Sequence, residues 1–401
     1  MKLWKKIALI LLAVLLLAQI PFIYQRFQKQ RLAEKITALA GQETRVPDSD
    51  YQEFTGVIHV HTVLGEHSTG SFNELLEGAQ ENGLDFVVLT EHTSPLYDTS
   101  AMTFRGFQQG ILFIAGNEMD TENQDRFLLL PGSAQAEEMT RESTGDFLSI
   151  MHSQNKLAVI TYPERFKSWN TEFDGIEVFN MNTNARKMNA PYFFFDALWS
   201  YGTYPQLTLA TYLRRPDENL EQFDRISTGK KIALFGGADA HSNIGFHLFG
   251  DDTGKKLLNL KFDRYSDVFR LVRQHVLIEK GENLSEKSLL EALKGGHSFI
   301  GFDVLSRSRG FFFAADNGRE KRIMGDRIEL GESVRLHARA PQKGRFVLFR
   351  NGHKAFESGE TTEINWTAEE SGVYRIEVYL DALGEPFDRM PWIISNPIYI
   401  K

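Results

Sequence analysis

The sequence predicts a mixed α/β protein: a β/α barrel of seven or eight units, preceded by a transmembrane helix and followed by a small all-β sandwich. Three observations carry this expectation. From about residue 51 to 305, apolar β-type runs alternate with helical patterns, as βα units do. Near residue 306 the chain changes to short stretches that alternate apolar and polar residues, with no helix evident. Ahead of both stands an unbroken apolar run from Ile7 to Ala18.

The N-terminal element comes first. Lys2, Lys5 and Lys6 precede the apolar run, and "IPFIY" extends it to Tyr24. That span is just long enough to cross a bilayer. The residue two before Ala18 is Leu16, so a small-x-small cleavage site is missing and an uncleaved signal-anchor over 1–24 is expected. Arg26, Lys29, Arg31 and Lys35 balance the leading lysines, so charge barely votes on orientation. The shortness of the N-terminal tail favours an extracytoplasmic large domain, periplasmic or at the cell surface. Residues 25–50 read as a polar, partly helical stalk ending at Pro47.

The barrel strands, over 51–305, are expected in "GVIHVH", "LDFVVLTEH", "ILFIAGNEM", "FLLLPG", "LAVITYP", "GIEVFN" and "KIALFGGADAH". Between the first two, Ser71 and Glu74 form a capping box and Gly83 is a stop. Further helices are expected around 144–155, 191–201, 263–275 and 285–295. Over 306–401, "RLHARA", "RFVLFRNGHKAF", "TEINWTA", "GVYRIEVYL" and "PWIISNPIYI" read as an immunoglobulin-like sandwich, with Asn351-Gly352 as a hairpin turn.

Composition narrows function. The net charge is -8 and no basic stripe is present, so no nucleic-acid partner is expected. With no cysteine, disulfides and thiolate metal sites are excluded. Histidine is different. Eleven are spread over 401 residues, yet His59, His61 and His67 fall within nine positions.

In a strand, residues two apart share a face, so His59 and His61 would project together. Spacing alone equally suits a pair of satisfied polar residues at a strand end. The other strands tip the balance. "VVLTEH" ends in Glu91 and His92, "IAGNEMD" carries Glu118 and Asp120, and "FGGADAH" ends in Asp239 and His241. In a β/α barrel these C-terminal tips converge on one face. Histidine with carboxylate suits Zn²⁺, Mn²⁺ or Fe²⁺.

"HVHTVLGEHS", "LTEH", "GNEM" and "GADAH" resemble, in order, the motifs of the polymerase and histidinol phosphatase (PHP) superfamily of metallohydrolases. The resemblance implies a distorted barrel holding divalent metals at the strand tips. It implies that His59 and His61 share one metal with Glu118 and Asp239, and that His67 works with His92 and His241 on another. Two positions depart from the pattern. Tyr162 stands in "VITYPER" where the family commonly has a histidine, and Arg126 stands where another is common. Two metals are therefore expected, with protein ligands for a third missing. Tyr162 is read as a proton donor, an anion hydrogen-bond donor or a weak metal ligand. The C-terminal half resembles the carbaryl-hydrolase-like branch.

The function expected is a metal-dependent phosphoesterase in which bound metals activate water. The alternatives are a carboxylic or carbamic ester hydrolase, and a metal-containing binding or sensing protein. Arg165 is the arginine best placed to meet an anionic small-molecule substrate, ahead of Arg186, Lys187, Arg214 and Arg215; Asn180 faces the same rim. Asp120 and Glu66 adjoin ligand positions and could orient a histidine. His247 is a candidate supporting residue. His152, His275, His297, His337 and His353 read as structural, with His275, His337 and His353 exposed or half-buried.

Overall fold

Apolar strands buried on both faces need neighbours on both sides, and seven strands meet that need by closing on one another. The computed structural model describes residues 2–43, 49–65, 67–243, 245–250 and 256–401, without the side chains of 245–250 and 256–260. The strands are β1 (Tyr51–Val60), β2 (Phe86–His92), β3 (Gly106–Gln108), β4 (Ile111–Asp120), β5 (Arg126–Leu130), β6 (Leu157–Ile160), β7 (Gly175–Asn180) and β8 (Ala233–Ala240). All but β3, which only edges β4, form the barrel, in the order β1-β2-β4-β5-β6-β7-β8 and back to β1. Five of its pairings are parallel, as expected, but β5 runs antiparallel to both neighbours. Only Thr121 to Asp125 separate β4 from β5, too few for a crossover, so the chain turns straight back.

Alternate residues along the strands split into two cores. Ile58, Phe86, Val88, Ile114, Leu128 and Phe235 form one cluster with Leu289 and Leu293 of the helix Glu286–Gly295. The intervening residues join the helices outside. The capping box at Ser71 and Glu74 is present, and Gly83 takes the left-handed conformation (φ 60°) that ends this helix.

One expected helix is overturned. Over 263–275 only Tyr265–Val268 is helical, and Arg273–Glu279 is a strand paired antiparallel with Tyr51–Gly56 of β1. The N-terminal half of β1 extends below the barrel and lacks a neighbour there, and "RQHVLIE" supplies it; tertiary pairing outweighs local helical pattern. A helix at Asp217–Ser227 escaped the sequence reading.

The strand Ser298–Gly301 pairs with Arg273–Glu279 on one side and Ile393–Ser395 on the other. Ile393–Ser395 in turn pairs with Gly372–Tyr379, which pairs with Val334–Arg350. The expected boundary at 306 is therefore not a break in hydrogen bonding, because the last strands return to the sheet that starts at β1. The hairpin turn falls where expected, with Asn351 (φ 48°) and Gly352 (φ 79°) both left-handed.

At the other end, α1 (Leu3–Leu17) has no buried residue. The stretch Leu3–Ala40 is long and apolar enough to cross a membrane by length and composition. The expected stalk does not stand free. Up to Ala40 it is α2 (Ile20–Ala40), whose buried residues are Phe22, Lys29 and Leu32 and which packs on the helices Ala190–Ser200 and Pro205–Ala210 and on the turn Asp381–Leu383. Pro47 lies outside the described residues.

Candidate metal centre

The strand tips meet as expected, but by way of bulges rather than regular alternation. His59 (φ 67°) and Asp239 (φ 43°) are both left-handed, and the β1–β8 register slips between Ile58 and Val60. Tyr162 (φ 52°) and Ser242 (φ 50°) share that conformation. Non-glycine residues held there cost about 1–3 kcal/mol each and cluster at functional sites.

Two groups of donor atoms result. His61, His92 and His241 place one ring nitrogen each within 4.8 Å of one another, and the second group joins ring nitrogens of His59 and His61 to a carboxylate oxygen of Glu118 within the same distance. His61 thus belongs to both, which redraws the expected division. Asp239 Oδ1 lies 3.4 Å from His59 Nε2 and 3.6 Å from His61 Nε2. His67 is exposed, its ring edge-on to His92 at 4.8 Å between centroids.

The electrostatics are those of a ligand cage. Burial pushes the His61 imidazole down to about 3, which leaves a neutral ring with a free lone pair. Burial also lowers His92. It would lower His59 too, but Asp239, Glu177 and Glu118 override it and hold that ring well above the usual range. Burial alone would raise Glu118 and Asp239; His59 instead holds Glu118 well below the carboxylate range, and His59 with His241 lowers Asp239.

Both ring nitrogens of His61 and Oδ1 of Asp239 are buried without a hydrogen-bond partner. Such atoms cost about 1–3 kcal/mol each, and a divalent cation in the cage would satisfy one nitrogen and the carboxylate oxygen together. The donor set therefore fits a divalent metal.

Glu177, which the sequence reading passed over, supports this cage. It is fully buried, and its Oε1 meets His59 Nδ1 at 2.7 Å. Its Oε2 accepts from Thr161 Oγ1 (2.5 Å) and Asn180 Nδ2 (2.8 Å). The signal was available: a carboxylate amid the apolar "GIEVFN" strand must have partners. Gly237 makes room, since a Cβ there would lie 1.7 Å from Glu177 Oε1. Glu91 accepts from the Thr62 N–H (3.0 Å) and Oγ1 (2.6 Å), pinning the turn after His61; burial raises its pKa.

Tyr162 donates from Oη to Asp239 Oδ2 at 2.6 Å. Burial and then Asp239 raise its pKa, so it stays a phenol donor. The guanidiniums of Arg126 and Arg186 lie 5.7 and 5.6 Å from its ring centre. Arg126 reaches this rim because β5 is antiparallel, which sets its first residue opposite Asp120. Asp120 grips it through two bonds of 2.7 and 2.6 Å, and Nη1 stands 3.4 Å from Glu118.

A cavity of about 960 Å³ opens over the cluster, lined by His67, His92, Glu118, Asp239, His241, Tyr162, Arg126 and Arg186 among others. Arg165 does not line it, contrary to expectation. The left-handed turn at Tyr162 leads into the 3-10 turn Pro163–Arg165 and leaves Arg165 exposed. Arg215 is bound to Glu377 at 2.6 and 2.8 Å, and Asn180 caps a helix. Glu66 and the His247 side chain lie outside the described residues.

No protein-family model and no curated protein matches the chain. Among solved structures, it is similar to a two-domain protein containing a predicted PHP-like metal-dependent phosphoesterase from Bacteroides vulgatus, at 15% identity over 88% of this chain and 98% of that one (TM-score 0.41). PsfC from Pseudomonas syringae matches at 14% over 63% and 94% (TM-score 0.35). A lesion-specific endonuclease from Pyrococcus furiosus matches at 12% over 61% and 56% (TM-score 0.36).

Proposed function

We propose that this chain is a divalent-metal-dependent hydrolase of the PHP superfamily and that it cleaves a phosphoester. The observation that carries the reading is the cage of buried His59, His61, Glu118 and Asp239 with half-buried His92 and His241, its unpartnered donor atoms beneath a cavity lined by Arg126 and Arg186.

His59, His61, Glu118 and Asp239 would hold one metal, and His92 and His241, with His61 near both, a second. Such a centre supplies a Lewis acid and water of lowered pKa. The chain's own residues do the rest. Glu177 holds His59 Nδ1, so Nε2 faces the cage. Tyr162 occupies Asp239 Oδ2 and leaves Oδ1 for the cation. Arg126, steadied by Asp120, and Arg186 bring fixed positive charge to the phosphoryl oxygens. The arginines at the rim favour a phosphate over a carboxylic ester. We read α1 as the membrane anchor of an extracytoplasmic enzyme, and the strands over 306–401 as an immunoglobulin-like module.

The test is metal content followed by turnover of p-nitrophenyl phosphate, bis-p-nitrophenyl phosphate and p-nitrophenyl acetate by the full chain with Mn²⁺ or Zn²⁺. Phosphate turnover is expected, falling about 10²–10³-fold in His59→Ala and Asp239→Ala. Undiminished activity in both variants refutes the site, and turnover of acetate alone moves the reading to carboxylic esters. A duplex oligonucleotide belongs in the same assay, because a solved structure of endonuclease Q, to which this chain is also similar, holds a 27-mer duplex with an abasic lesion.

A further inference from the structure

The cavity wall is chemically mixed. Besides the histidine cage and its arginines, it includes the apolar side chains of Met188, Phe193, Leu209, Leu213 and Val268. Phe193 belongs to the helix Ala190–Ser200, whose other side carries Leu198 at 65% exposure with Phe195 and Trp199 at 37% each. A soluble surface gains nothing from such a patch.

The same helix is clamped to the apolar N-terminal segment. Lys29 of α2 and Asp196 form a buried ion pair at 2.7 Å, and Tyr212 Oη, from the cavity wall, donates to the same carboxylate at 3.1 Å. Phe22 of α2 packs on Tyr192 and Phe195 at 5.1 and 5.5 Å. Trp199 Nε1 donates to Gln19 Oε1 at 3.0 Å, where α1 gives way to α2. The exposed aromatic patch therefore adjoins the C-terminal end of α1; with α1 read as the membrane anchor, that is where tryptophan and tyrosine favour a bilayer interface.

We propose that the substrate is an amphiphilic phosphoester taken from a lipid bilayer, its phosphate at the histidine cage and its apolar chain along the wall of Phe193, Leu209 and Leu213. This rests on the hydrolase reading above. Water adds across the P–O bond, hydroxyl to phosphorus and proton to the departing alcohol oxygen, so no co-reactant is needed. Burying even two methylenes of a chain is worth about tenfold.

The test uses full-length, metal-loaded protein in phosphatidylcholine vesicles doped with phosphatidic acid or phosphatidylglycerol, against short-chain soluble analogues and p-nitrophenyl phosphate. One of the two vesicle lipids is expected to exceed its short-chain analogue in kcat/KM by more than about tenfold. Phe193→Gln should shrink that ratio. Leu198→Glu, at an exposed position, should slow vesicle turnover and leave p-nitrophenyl phosphate turnover unchanged. Equal kcat/KM for long and short chains, with p-nitrophenyl phosphate still cleaved, overturns the amphiphile and leaves the hydrolase standing. Metal-loaded protein that cleaves no phosphoester overturns both.

Discussion

Glu177 shows what one side chain does inside the barrel. A carboxylate buried between Ile176 and Val178 is tolerable only because His59, Thr161 and Asn180 satisfy its oxygens. Its contact with Nδ1 leaves Nε2 of His59 toward the cage, the arrangement by which outer carboxylates orient metal-binding imidazoles. Glu177→Gln should keep the fold and weaken metal binding by about 10–100-fold, measured by titrating Zn²⁺ into metal-free protein. Unchanged affinity would remove Glu177 from this role. The residue types of the cage could be read in the sequence because each motif ended a strand. Glu177 and Arg126 could not be assigned that way. Glu177 acts from mid-strand, and Arg126 reaches the rim only because β5 reverses.

Bulges and one reversed strand decide the geometry at the scale of elements. Regular alternation would put His59 and His61 on one face. The left-handed His59 departs from that rule, and the two rings still approach to 5.0 Å because β8 bulges at the matching level. The strand Arg273–Glu279, whose first three residues fell in the helix expected over 263–275, carries a second buried network. His275, expected to be exposed or half-buried, is fully buried; Nδ1 meets Glu53 at 2.7 Å and Nε2 meets Ser308 at 2.9 Å. Burial opposes its charge, but Asp303 and Glu53 raise it from 6.5 to about 9. A pKa raised on folding stabilises below the unfolded value and is lost as pH rises through the folded one. Stability should therefore fall between pH 6.5 and about 9, by roughly 3 kcal/mol. Urea denaturation across that window checks it, and His275→Gln should flatten the slope.

For the whole molecule, the N-terminal helices are part of the architecture. The Lys29–Asp196 pair is almost solvent-free, at 4% and 0% exposure. Removing one partner of such a pair leaves the other charge buried, at a cost of about 3–5 kcal/mol. Asp196→Ala should loosen α2, seen as faster proteolysis within 20–40 and a lower melting temperature. The apolar replacement Lys29→Met with Asp196→Leu should recover most of the loss. If Asp196→Ala leaves both readouts unchanged, the clamp does not hold the segment to the barrel.

The sequence by itself determined the seven barrel strands, the β/α alternation, the hairpin at Asn351-Gly352 and the residue types at the strand tips. These depend on periodicity and turn chemistry, which are local. The tertiary structure alone decided that β5 runs backward, that 273–279 is a strand, that Arg126 and Arg186 rather than Arg165 line the cavity, and that α2 docks on the barrel. Each of these depends on which distant segment supplies a missing hydrogen-bond or charge partner, and no local pattern carries that information.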